Sequence, residues 1–141
     1  MVENNILDIT HNNLVLQVFT FEKEIKEQKE KNNYFFMNDN WILGYISGFC
    51  QTLFQAQTEP TFNFQDFVLN TLVATKFIEA NDNDFKFLHT TLRKLTKENS
   101  DYFFVKGFKN GVDDVMSIAK DKKYPTTLFE YLSNIFNKNT K

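Results

Sequence analysis

The chain has 141 residues and a mass of 16.7 kDa, the size of one ordinary domain. Its 16 basic and 18 acidic residues leave a net charge of −2, which favours neither a nucleic-acid binder nor a strongly acidic protein. The single cysteine excludes an intramolecular disulfide, and only four Gly and two Pro disfavour a turn-rich β sandwich or barrel. We therefore expect one all-α domain over residues 1–141, a bundle of about six helices.

The first helix is predicted from about residue 10 to 31. Apolar residues recur there at the helical spacings of three and four, namely Leu14, Val18, Phe21 and Ile25, with Val15 and Phe19 beside the same stripe. Acid-before-base pairs four residues apart, such as Glu22 with Lys26, support a helix. The pair Asn32-Asn33 ends it.

The second helix is predicted from Trp41 to about residue 56, with Asp39 or Asn40 as its N-cap. A third helix opens at Asn63, where a capping arrangement precedes another periodic segment. One face of this third helix consists of Phe67, Val68, Thr71, Leu72, Thr75 and Ile78.

Three further helices follow. The fourth is predicted to be shorter and is marked by Phe85, Leu88, Leu92 and Leu95. The fifth runs from Tyr102 to about Lys120. The sixth is introduced by Pro125 and by a capping box that begins at Thr127, and it ends near Asn137.

Two segments 63 residues apart resemble each other. The segment 41–48 and the segment 104–111 each carry two glycines four residues apart, Gly44 with Gly48 and Gly107 with Gly111. This allows two duplicated helix hairpins with an N-terminal helix and a connecting helix, the alternative being two unrelated Gly-containing helices. Close packing of these two helices is the expected use of the glycines, and a groove for a ligand or partner is the alternative.

The sequence contains no catalytic, metal or cofactor motif that we can identify. His11 and His89 lie far apart without a carboxylate at zinc-motif spacing, and Cys50 is expected to be a small core residue. The basic clusters are modest and contain the only Arg, so direct nucleic-acid binding is not expected. No stretch reaches the roughly 18 apolar residues of a membrane span, and residues 1–5 lack a basic signal-peptide start, so we expect a cytoplasmic protein without a cofactor.

In its short length, its Asn-, Lys- and Phe-rich composition and its lack of an active-site motif, the chain resembles the small immunity proteins of bacterial polymorphic toxin systems, such as contact-dependent growth inhibition. The resemblance implies a non-enzymatic protein that binds and neutralises a cognate toxin, typically a nuclease domain. Alternative interpretations are a phage- or plasmid-type helical adaptor that dimerises through its Gly-bearing helices, and a helical bundle with an apolar ligand cavity.

A toxin-binding surface would combine acids that steer association with a few aromatic anchors. The candidate acids lie at the turn before the fourth helix and around the start and middle of the fifth. The predicted partner-binding residues are Asp82, Asp84, Glu98, Asp101, Tyr102, Asp113, Asp114, Tyr124 and Tyr131.

Overall fold

The computed structural model describes residues 12–55, 63–98, 101–121 and 125–136, and all of its regular structure in these ranges is helical, as predicted. Helix α1 spans residues 12–31 and is interrupted by a 3-10 turn at Phe19–Phe21 before it continues as Glu22–Lys31. The other helices are α2 (Asn40–Gln55), α3 (Phe64–Ala74), α4 (Asp82–Glu98), α5 (Tyr102–Asp121) and α6 (Thr127–Phe136). None of the described helices combines the length and the apolar character that crossing a bilayer requires.

Helix α2 forms the centre of the bundle. All ten of its residues from Trp41 to Cys50 are buried. An apolar helix without a polar face must be covered on every side. Its most extensive contact is with α5, and α3 packs against it next.

Helices α2 and α5 are parallel and touch through their glycines. Gly44 lies against the backbone of Phe104, and one turn later Gly48 lies against the backbone of Phe108. Both numbers rise together, so the two chains run in the same direction. An added Cβ on Gly44 would lie 2.9 Å from the carbonyl carbon of Phe104 and would overlap its oxygen. Close packing of the two helices, the expected use of the glycines, is therefore confirmed.

The contacts between α2 and α5 are two-fold symmetric. Gly44 faces Phe104, while Gly107 faces Trp41, so each residue has been exchanged for its counterpart 63 residues away. Gly48 and Gly111 repeat the exchange one turn later. A reciprocal pattern of this kind is what an isologous interface between two copies of one unit produces.

The pairing also extends to the helices that follow. Helix α3 begins with a bond from the Phe67 N–H to the Asn63 carbonyl, and α6 with a bond from Glu130 N–H to the Thr126 carbonyl, again 63 residues on. Helix α3 packs on α2, and it also meets α4. Helix α1 is joined to α6, where the Phe21 ring lies 5.2 Å from the ring of Phe129.

The third helix ends earlier than predicted. It stops at Ala74, because Lys76 adopts a left-handed backbone with φ of 72°. The N–H groups of Phe77 and Lys76 turn back to the carbonyls of Leu72 and Val73, which closes the helix end. Thr75 and Ile78, assigned to the helix face from sequence, are buried beyond the helix.

Two further predictions about helices need correction. Helix α4 was predicted to be shorter, but at 17 residues it is longer than α3 or α6. The box predicted to cap α6 does not form, since the Thr127 hydroxyl donates to Asp114 at 3.0 Å. Of the two N-cap candidates for α2, Asp39 is the cap, accepting from the Ile42 N–H at 3.0 Å.

Candidate protein-binding surfaces

A buried polar network joins four helices. Tyr45 on α2 is fully buried, and its hydroxyl donates to Asp114 Oδ2 on α5 at 2.5 Å. The same hydroxyl accepts from Gln17 Nε2 on α1 at 3.0 Å. Thr127 on α6 donates to the second oxygen of Asp114. Every polar atom at the centre of this network has a partner, which low-dielectric surroundings require.

Gln17 also caps helix α6 from another part of the chain. Its Oε1 accepts from the backbone N–H groups of Leu128 at 2.8 Å and Phe129 at 3.1 Å. The first N–H groups of a helix have no partner within it, so this amide satisfies two of them. Gln17, only 3% exposed, therefore fixes the position of α6 against α1.

Burial raises the pKa of Asp114 above its usual value, while hydrogen bonds from Tyr45 and Thr127 act in the opposite direction. Burial likewise raises the pKa of the Tyr45 hydroxyl, and the neighbouring Asp114 carboxylate adds to the effect. A half-buried carboxylate with two internal donors is committed to holding helices together. Asp114, a predicted steering acid, is thus mainly structural.

Tyr131, a predicted aromatic anchor, belongs to a second internal cluster. Its ring stacks on Trp41 at 4.1 Å, and its hydroxyl donates to both oxygens of Asp39, at 2.8 and 3.0 Å. The Trp41 indole N–H donates to Asn110 Oδ1 at 3.1 Å. Burial raises the pKa of both Asp39 and Tyr131. This cluster ties α6 to the start of α2.

Two other predicted acids are engaged inside the chain. Asp84 is 2% exposed and accepts from Asn33 Nδ2 at 3.3 Å and from the Glu79 N–H at 3.2 Å. Asp101 caps α5 by accepting from the Phe104 N–H, and its other oxygen accepts from Asn40 Nδ2 at 3.0 Å. Both carboxylates stabilise loops and helix ends.

The remaining predicted residues are exposed or lie beyond what the structure describes. Asp82, Tyr102 and Asp113 are exposed. Glu98 is the last residue of α4, and its side chain is not described, while Tyr124 lies outside the described residues. The nine residues include both exposed and internal groups, so they do not form one continuous surface.

The largest exposed apolar side chains outside α5 lie together at the junction of α1 and α6. Leu16 is 63% exposed and Phe129 is 37% exposed, and both line a groove of about 270 Å³. Phe19, 69% exposed, lies one turn beyond Leu16 and lines a smaller groove of about 50 Å³ between α1 and the end of α3. We call Leu16, Phe19 and Phe129 the apolar patch.

Sequence reasoning missed this patch, although a signal was present. Five of the six residues from Leu14 to Phe19 are apolar, more than one buried stripe of a helix needs. Phe19 was placed beside the buried stripe, which is wrong. The 3-10 turn at Phe19–Phe21 has three residues per turn, and it directs Phe21 into the core while Phe19 faces solvent.

A second group of exposed aromatic side chains lies at the start of α5. Tyr102 is 65% and Phe103 is 60% exposed, with their rings edge to face at 5.2 Å. The Lys106 ammonium lies 5.8 Å from the centre of the Tyr102 ring. Tyr102 was predicted as an anchor, whereas Phe103 was not.

The described residues offer no evident chemistry. No group of three or more His, Cys, Asp or Glu side chains among them is placed to hold a metal ion. Cys50 is a core residue, as expected, and contacts the Thr71 hydroxyl at 3.5 Å. Burial raises the pKa of its thiol to about 12, so the reactive thiolate is scarcely populated at neutral pH.

The fold and its surfaces define an all-α six-helix bundle with a two-fold arrangement of its central helices. Comparison with known proteins finds no matching family model, no similar curated protein and no similar solved structure.

Proposed function

We propose that this protein acts by binding another protein, and that the partner is a bacterial toxin which it neutralises, as in the immunity proteins that it resembles. The apolar patch carries the proposal. Two of its side chains, Leu16 and Phe19, expose more than 60% of their surface on one side of α1. Large apolar side chains grouped on a surface are typical of protein-binding sites.

The surroundings of the patch suit a binding site. Gln17, which lies between Leu16 and Val18 in the chain, is buried and bonded to the backbone of Phe129. The patch is therefore held in one arrangement before a partner arrives, which reduces the entropy lost on binding. Aromatic side chains such as Phe19 and Phe129 supply much of the energy in such interfaces when a partner buries them.

The role of acids in steering the partner is now restricted to fewer groups. Asp82 and Asp113 are exposed, whereas Asp84, Asp101 and Asp114 accept hydrogen bonds within the chain. We keep Asp82 and Asp113 as the steering candidates, because exposed charges change association rates more than affinities.

The proposal is tested by capturing the partner with the tagged protein from its native cells and identifying it by mass spectrometry. The captured protein is then expressed in a host with and without this chain. We expect it to arrest growth alone and to be harmless with wild-type protein. Phe19→Ser should lose both capture and protection.

Phe103→Ser is the matched control, since Phe103 is a similarly exposed aromatic residue at the start of α5. It should retain capture and protection. Loss at Phe103 with retention at Phe19 would move the binding surface to α5. A captured partner that does not impair growth would contradict the toxin proposal and leave a binding protein of another kind.

A further inference from the structure

Helix α5 buries its glycine face and exposes the opposite face along its length. At 100° per residue, the exposed side chains fall within a sector of roughly 100° on the side away from Gly107 and Gly111. These residues form what we call the outer stripe: Tyr102, Val105, Lys106, Lys109, Asp113, Met116 and Lys120. Three are apolar, three are basic and one is acidic.

We propose that a second copy of this chain docks on the outer stripe, with the two α5 helices antiparallel and the two-fold axis at the level of Gly111. In this register Lys109 of each copy faces Asp113 of the other. Two ion pairs then form, one on each side of the axis. Tyr102 faces Lys120 of the second copy, which places an ammonium group against an aromatic ring at both ends.

Charge favours this register over the alternatives. Parallel helices in register would place Lys109 against Lys109 and Asp113 against Asp113, which is repulsive. An antiparallel pair centred on Lys109 would also bring like charges together. Neither Lys109 nor Asp113 has a salt-bridge partner among the described residues, so both groups are available for the pairing.

The dimer differs from one formed through the Gly-bearing faces, because those faces are already packed against each other within the chain. It also leaves the apolar patch on α1 and α6 uncovered by α5, so it goes beyond the proposed function and does not depend on it. From Tyr102 to Lys120 the contact is about 27 Å long. One helix pair of this length is smaller than an obligate interface, so we expect a dissociable dimer with a Kd of roughly micromolar order.

The test uses the purified full chain in sedimentation velocity at about 1 to 500 µM, in low and high salt. We expect a concentration-dependent dimer that high salt weakens. Lys109→Asp and Asp113→Lys each place like charges together twice in the dimer, and each should raise its Kd about tenfold. The double variant K109D/D113K restores opposite charges and should return the Kd to within about threefold of wild type.

Lys23→Asp is the matched control, since it makes the same charge change on an exposed position of α1 and should leave the Kd unchanged. Circular dichroism melting of every variant confirms that each is folded. A chain that is monomeric at the highest concentration overturns the proposal. So does a dimer that the double charge exchange fails to restore, or one that Phe19→Ser abolishes, which would place the interface at the apolar patch.

Discussion

Gly48 lies against the backbone of Phe108, where an added Cβ would be 2.8 Å from the carbonyl carbon and would overlap the oxygen. Gly111 has the reciprocal relationship with the backbone of Tyr45. The two helices therefore meet backbone to backbone, with no room for a side chain at either crossing. This contact positions the remaining helices, because α3 packs on α2 and the Asp114 network joins α5 to α6.

Gly48→Ala should lower the free energy of unfolding by about 3 kcal/mol, because the new methyl group must separate the two backbones. In an unpacked helix the same change would be stabilising by up to about 1 kcal/mol. Urea unfolding measures the difference. Thr90→Ala on the exposed face of α4 is the control, with an expected effect within about 0.5 kcal/mol. An unchanged or raised stability for Gly48→Ala would contradict the close contact.

Tyr45→Phe should cost about 2 to 3 kcal/mol of unfolding free energy. The substitution keeps the ring but leaves Gln17 Nε2 and Asp114 Oδ2 without their shared partner. Tyr34→Phe, at a ring that is 42% exposed, provides the matched control and should change stability little. Equal effects of the two substitutions would mean that the Tyr45 hydroxyl contributes no more than a solvated one.

The pH dependence of stability should reveal the burial of Asp114. Because its folded-state pKa is raised, its contribution to stability is full below the unfolded pKa and is lost as pH rises through the folded value. The unfolding free energy of wild type minus that of Asp114→Asn should therefore fall between about pH 4 and 7. A difference that increases with pH would mean that the charged form of Asp114 is the stabilising one.

Glu79→Gln provides a control of opposite sign for this measurement. A hydrogen bond from Lys29 and its charge lower the pKa of Glu79. Its contribution is present above the unfolded pKa and is lost as pH falls through the folded value. The corresponding difference for Glu79→Gln should therefore rise with pH over the same range, by a small amount because the side chain is 59% exposed.

Lys76→Gly should stabilise the protein by about 1 kcal/mol. Lys76 has a φ of 72°, a backbone conformation that side chains disfavour and that glycine adopts without that penalty. The measurement is again urea unfolding, with Lys86→Gly inside α4 as the opposite case, where a loss of about 1 kcal/mol is expected. A destabilised Lys76→Gly would show that the lysine side chain contributes more than its backbone costs.

Helix positions were readable from sequence because their determinants are local. The periodic apolar residues of α1 and the Asp39 cap of α2 lie within a few residues of what they specify. The end of α3 was not readable, since a left-handed Lys76 has no glycine to mark it. The exposure of Phe19 escaped for a similar reason, because a 3-10 turn breaks the period on which the prediction rested.

The candidate surface was harder to predict than the fold. Acids were ranked by local charge, yet Asp114 bonds to Tyr45, 69 residues away, and Asp84 to Asn33, 51 residues away. Exposure of an acid depends on what folds against it, and no local pattern reports that. The apolar patch has the same character, because Leu16 and Phe129 come together only when α6 docks on α1.

By itself the sequence determined six helices, an all-α class and two helix faces marked by glycines, since periodicity, caps and small residues act within a few turns of the chain. Only the tertiary structure decided that those faces pack on each other in parallel, that Gln17 caps a helix 111 residues away, and which apolar side chains stay outside. These features depend on contacts between distant segments. Their energies exist only once the helices have met.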